Sequence, residues 1–353
     1  MQRSFGQILL ILAVVLLLAH GAPNHLAAED AADWEQTASD VKRDGDGQVI
    51  EVSFRGTEAD DAALAPLTKL PKLRSVLLND TKVTDAGFKT LGSIRTLQNI
   101  DARGCSVGNE GVRHLTGLDQ LRALRLNGQS GATTVDDDAM ADVAKLKNLK
   151  ALMLDYLWVS EEGLAKLTEL DNLEELYLAQ TLVGDDALAV IKTLPRLKKL
   201  RISKSAVSSD GLKHLVEVPA LVELDISEDS QIFDDGMKHV GQLKNLEKLN
   251  LWRVALTDEG VEHLAGLTKL KWLNLDNTQL TDAGLKHLAD MKQLEFLHVG
   301  STSITDAGLK HLEGLESLKD LSVTRTAVTE QGAAALQEKL PNVKIQIKYV
   351  DGE

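Results

Sequence analysis

A single cysteine, Cys105, stands in the 353 residues, so no disulfide within the chain can staple the fold. Aromatic residues are nearly as scarce, at 3% against a hydrophobic share of 43%, and the core must therefore be built from leucine, valine and alanine in small repeated units. Basic charge is in deficit: 39 Lys and Arg face 53 Asp and Glu, a formal charge of -14. A nucleic-acid backbone needs a clustered basic face and is set aside as a ligand. A Gly-rich phosphate loop, a nucleophile elbow, a metal triad and an isolated acid pair are all missing. The sequence thus offers no catalytic residues, no metal ligands and no small-molecule cofactor site, and it reads as a non-enzyme.

The longest apolar run, Ile8 to Ala19, is too short to span a bilayer comfortably. Preceded by Arg3 and followed by small residues at Ala19 and Gly21, it reads as the h-region of a secretory signal peptide over residues 1–21, with other small residues up to Ala28 offering alternative cuts. No cysteine follows the run, which excludes lipid attachment there. The expected location is secreted or periplasmic.

What the chain has in abundance is repetition. The pattern L-x-x-L-x-L begins at Leu73, Leu97, Leu121, Leu149, Leu173, Leu197, Leu221, Leu246, Leu270, Leu294 and Leu318, with a weaker first copy at Val49. The period is 24, broken by one step of 28 and one of 25. In the copy LKWLNLDNTQLTDAGLKHLADMKQ, Leu273 and Leu275 alternate with Trp272 and Asn274, the period of a strand with one buried face. Thr281 and Asp282 then open a helical turn as cap and dipole partner. Leu285, Leu288 and Met291 close the second wall of the core. One copy buries too few aliphatic side chains to offset the ordering of its 24 residues, so copies must stack.

This pattern resembles the leucine-rich-repeat family over about 300 of the 353 residues. The resemblance implies an α/β solenoid, a horseshoe of about twelve repeats with a concave parallel β-sheet and helices on the convex side. Its LTDAGLKHL-type helix segment, together with the export signal, resembles exported bacterial members. The expected organisation is a signal peptide at 1–21, an N-terminal segment and cap at 22–48, the solenoid at 49–342, and a capping strand and tail at 343–353. In the cap, Trp34, Ala38 and Val41 fit one helical face. At the far end Val343, Ile345 and Ile347 alternate with Lys344, Gln346 and Lys348, a last strand that its lysines protect from further pairing.

Several columns look chemical and are explained by repetition. Position nine, counted from the first leucine, holds Thr57, Thr81, Cys105, Thr181, Ser205, Thr278, Thr302 and Thr326, small hydrogen-bonding groups at the turn leaving the strand. Cys105 belongs to that column as a packed thiol. His114, His214, His239, His263, His287 and His311 recur at one helix position without accompanying carboxylates, which argues against a metal ladder. Asp44 to Gly47 lacks the spacing of a calcium loop.

The outward strand positions are different, because they pave the concave face and nothing in core packing asks for aromatics there. Five of the chain's twelve aromatics fall on them: Tyr156, Tyr177, Trp252, Trp272 and Phe296. With Lys248, Arg253, Asn274 and His298 they make the candidate partner-binding face, centred on Trp252, Trp272 and Phe296 in successive repeats. Two loop insertions, four residues within Asn127 to Asp138 and one within Ser227 to Asp235, fall on one rim and are second candidates. The family resemblance implies a protein partner and a protein-binding scaffold. A carbohydrate stacked on the same tryptophans beside Asn250, Asn274 and Asp276, and a purely structural spacer, are the alternatives.

Overall fold

The computed structural model describes residues 34–348; the expected signal peptide at 1–21 lies outside them. One sheet of fourteen strands runs from β1 (Asp40–Arg43) and β2 (Val49–Ser53) to β14 (Lys344–Gln346), in sequence order. β2 to β14 are parallel, and β1 pairs antiparallel with β2. The twelve strands β2 to β13 match the twelve copies, and β14 ends the sheet.

The period-two alternation decides the register. β10 (Lys248–Asn250), β11 (Trp272–Asn274), β12 (Phe296–His298) and β13 (Asp320–Ser322) align so that Leu249, Leu273, Leu297 and Leu321 form one row, continued by Ile345. All four leucines are buried. Behind that row the chain makes short α- or 3-10 segments on the convex side, such as Asp185–Ile191 and Asp282–Leu285, whose leucines complete the core. Among the described residues no helix is long and apolar enough to cross a membrane.

The T-D-A-G stretch does more than cap its own helix. Thr281 accepts from the backbone N–H of Ala283, as its position predicted, while Asp258 of the preceding repeat reaches forward to take the Thr281 N–H at 2.8 Å and its hydroxyl at 2.6 Å. The same bridge joins Asp61 to Thr84, Asp137 to Ser160, Asp185 to Ser208, Asp234 to Thr257, Asp282 to Thr305 and Asp306 to Thr329. The glycine of the motif follows from this reach: a Cβ on Gly284 would lie 2.3 Å from Asp258 Oδ1 and 2.3 Å from Leu280 Cδ1.

A second ladder runs along the turns that leave the strands. Asp80, Tyr156, Gln180, Lys204, Glu228, Arg253, Asn277, Ser301 and Arg325 all adopt left-handed φ values between 51° and 62°. This conformation is unfavourable for residues with a Cβ. From Asp80 to Ser301 it is held because the residue's N–H donates to the next repeat, as Arg253 does to Asp276 O at 3.0 Å and Asn277 to Gly300 O at 3.0 Å. The position-nine threonines sit beside this ladder and donate to the carbonyl three residues back, Thr278 to Leu275 O at 2.8 Å being one instance.

The N-terminal cap departs from the expectation of a single helical face. Among the described residues of the cap, 34–37 form a helical turn, and Val41 lies on β1 as half of a hairpin with β2. Trp34 is buried and Ala38 and Val41 pack against the core, so the three residues cover the first repeat through a hairpin. Spacings of four and three fit a helix or a bent strand equally, and the open edge of β2 decided for pairing.

Candidate functional site

On the concave face the outward side chains of β10, β11 and β12 line up as Lys248, Trp272 and Phe296 in one row, with Asn250, Asn274 and His298 in the next. Trp272 and Phe296 stack with ring centroids 5.0 Å apart and planes 5° from parallel, the strand spacing setting the distance. Lys248 Nζ lies 4.8 Å from the Trp272 ring on the neighbouring strand, a cation–π contact. The row is thus a sandwich of Lys248, Trp272 and Phe296.

Sequence reasoning placed Trp252 in that sandwich, and the structure places Lys248 there instead. Trp252 lies two residues beyond β10, in register with Asp276, and Arg253 covers it at 5.4 Å. His298 meets the Phe296 edge at 6.5 Å and 77°. Burial lowers its pKa, opposed by Asp276, whose Oδ1 lies 3.9 Å from His298 Nε2. That nitrogen has no hydrogen-bond partner among the described residues. Lys248 is the cation against the stack, while Arg253, in the same left-handed turn column as Tyr156, lies 3.4 Å from Glu228 and is paired within the chain.

Tyr177, on β7 (Glu175–Tyr177), is separated from this patch by an ion-pair lattice. On β8 (Lys199–Arg201), Lys199 lies 3.4 Å from Glu175 and 3.2 Å from Glu223, and Arg201 lies 3.2 Å from Asp155 and 3.5 Å from Asp225. These cations are balanced within the chain. Burial raises the Tyr177 hydroxyl's pKa, with Glu175 adding to it. Further along, Asp101 holds Arg103 at 2.8 Å and Arg55 at 3.3 Å; burial raises its pKa, but the hydrogen bond and charge of Arg103, with the charge of Arg125, hold it below the usual carboxylate range. The concave face therefore carries paired ions around β8 and an aromatic stack across β11 and β12, followed by the polar Asp320 and Ser322 of β13.

Tyr156 does not belong to the concave face. Its left-handed turn lies beyond the strand Ala151–Asp155, and it lines a cleft on the rim with residues that sequence reasoning passed over. Trp158 is 69% exposed and Leu182 53% exposed, side by side at position ten of consecutive repeats. Other repeats place Ser106, Thr134, Ala206, Gln279 and Ser303 at that position. The departure from a small or polar column was the available signal; it was missed because position ten is outside the strand.

Among the described residues no three His, Cys, Asp or Glu side chains converge as metal ligands. Cys105 is fully buried, its Sγ 3.1 Å from Leu78 O and 3.4 Å from the Thr81 hydroxyl, and burial raises its pKa. A buried thiol of that kind is no nucleophile.

An open parallel sheet backed by short helices, each strand and helix recurring once per repeat, defines the class: a repeat solenoid. The match is specific, since a model described as a leucine-rich repeat region covers residues 55–238 and a second, leucine-rich repeat, covers 244–304. The chain belongs to the leucine-rich repeat family. No curated protein matches it at a significant level. Among solved structures it is similar to an internalin from Listeria monocytogenes, with 19% identity, a TM-score of 0.63, and 92% of this chain and 88% of that one covered. A leucine-rich-repeat protein of Leptospira interrogans aligns over 92% of both chains at 17% identity and a TM-score of 0.45. A plant peptide hormone receptor, solved in complex with RGF2, aligns over 87% of this chain and 59% of that one, at 15% identity and a TM-score of 0.48. The internalin likeness establishes the fold.

Proposed function

We propose that this protein is a non-catalytic, exported protein-binding scaffold that takes its partner on the C-terminal end of the concave face. The observation that carries the reading is the Lys248–Trp272–Phe296 sandwich, a partly exposed aromatic stack with the Lys248 ammonium against one face of the indole, on a sheet whose neighbouring cations Lys199 and Arg201 are paired within the chain. Tryptophan is among the residues that dominate binding hot spots, and a ring already held in place loses less entropy on association. A carbohydrate stacked on Trp272 is the weaker reading, because Phe296 and Lys248 occupy the two faces of the indole. Export is supported by the apolar run Ile8 to Ala19 and fits a chain with one cysteine, which needs no disulfide to fold.

The test is capture from cell-envelope extract with the mature chain and with Trp272→Ala and Phe296→Ala variants of matched circular dichroism, followed by affinity measurement on the partner retained. Loss of a hot-spot aromatic weakens binding about 30-fold, or roughly 2 kcal/mol. Equal retention by wild type and both variants refutes the concave-face assignment.

A further inference from the structure

The rim carries a second site of different chemistry. The four-residue insertion of the fourth repeat raises a loop through Gln129, Ser130 and Gly131, and this loop faces Tyr156, Trp158, Gln180 and Leu182 of the next two repeats across an open cleft of about 520 Å³. That volume lies inside the roughly 300–1,000 Å³ range of small-ligand clefts. The loop comes down closely because Gly128 has no side chain: a Cβ there would sit 2.1 Å from the Tyr156 carbonyl oxygen.

The cleft differs from its surroundings in charge. On a chain in which 26% of residues are charged, none of its nine lining residues is. The neighbouring cleft carries Asp80 and Arg103, the N-terminal one Glu58 and Asp60, and that beneath the fourth and fifth repeats Asp119, Arg122 and Lys150. A phosphorylated, sulfated or carboxylated ligand would find no counter-charge in the rim cleft, and a lipid headgroup no lysine or arginine. What it offers is one exposed indole, one phenol, the exposed amides of Gln129 and Gln180 and the hydroxyl of Ser130. An apolar peptide side chain is best held in a closed hydrophobic pocket, whereas this cleft is open and half of its margin is polar.

We infer that the rim cleft between the inserted loop and Trp158 binds a neutral saccharide, one sugar ring lying on the indole of Trp158 and its hydroxyls meeting Gln129, Ser130 and Gln180. A pyranose has an apolar C–H face and a polar edge, and the cleft presents an aromatic plane and uncharged donor–acceptor groups in that arrangement. Amides and hydroxyls both donate and accept, which suits a ligand whose groups do the same. This site is independent of the concave aromatic stack.

The test uses the mature chain and four uncharged probes: cello-, malto-, N-acetylchito- and xylo-oligosaccharides. Saturation-transfer NMR identifies binding, and calorimetry gives the affinity. At least one probe binds; Trp158→Ala weakens it about tenfold or more, Trp158→Phe retains most of it, and Phe233→Ala, which removes another half-exposed rim aromatic, leaves it unchanged. Trp158 is too exposed for its loss to unfold the repeat, and circular dichroism verifies this. The inference is overturned if none of the four probes binds at millimolar concentration, if Trp158→Ala binds as tightly as wild type, or if only an acidic oligosaccharide or an apolar peptide occupies the cleft.

Discussion

Replacing Asp229 by asparagine should make the eighth repeat more stable in mild alkali and leave it unchanged in acid. Asp229 stands in the column that threonine fills elsewhere, fully buried, its Oδ1 accepting from the Ser205 N–H and hydroxyl and its Oδ2 without a partner among the described residues. Burial, reinforced by the carboxylates of Asp225 and Glu228 and opposed by the two bonds from Ser205, pushes its pKa up to about 7 from 3.8. Well below pH 3.8 the carboxyl is protonated in both folded and unfolded chains, and its full stabilising effect is present. Between 3.8 and about 7 the folded chain keeps a proton that the unfolded chain releases, so stability falls as pH rises, and above the folded pKa the loss is complete. At about 1.4 kcal/mol per pH step the total is on the order of 4 kcal/mol. Asparagine retains an acceptor for Ser205 and carries no charge. Solenoids unfold through coupled repeats, so the assay is hydrogen exchange of amides 205–254 at pH 5.5 and pH 8, corrected for intrinsic rates, with urea midpoints alongside. The wild type should lose protection in this segment at the higher pH and Asp229→Asn should not. Identical pH dependence in the two proteins would refute the reasoning.

Two further outcomes follow from packing. Gly284→Ala drives a methyl into Asp258 Oδ1 and Leu280 Cδ1 and should cost about 1–3 kcal/mol, read as a lower urea midpoint; unchanged stability would show that the aspartate bridge yields freely. Cys105 should resist a thiol-specific chromogenic reagent in the native state and react stoichiometrically after unfolding, because its thiol is buried and its pKa raised. Rapid native labelling would contradict this.

The repeat was legible because each strand needs only two inward leucines and the period brings them back every 24 residues, whatever fills the other positions. Thr281 was legible as a cap for the same reason: the chemistry is local to three residues. The aspartate bridge was not, since Asp258 satisfies a local dipole argument and its partner lies 23 positions away. For the candidate site, alternation put Trp272 and Phe296 on one face, and that row exists. Alternation failed once the strand ended: left-handed backbone at Tyr156 turns the chain, so Tyr156 leaves the concave face, and Trp252, at position seven of its copy, lies four residues past the column in which Lys248, Trp272 and Phe296 stack. The cap was misread because Trp34, Ala38 and Val41 satisfy two periodicities, and only the exposed edge of β2 chooses between them.

The bridge from each helix-opening aspartate to the next repeat's threonine gives the array a direction. Each repeat's helix start is secured by its predecessor and in turn secures its successor. Trimming copies from the front exposes a backbone N–H and a hydroxyl that have lost their acceptor, while trimming from the back leaves only a carboxylate facing water, where it is well solvated. Lengthening or shortening the array is therefore cheaper at its C-terminal end, and an arm of this kind can be remodelled at its tail while its leading repeats and their hairpin cap stay fixed.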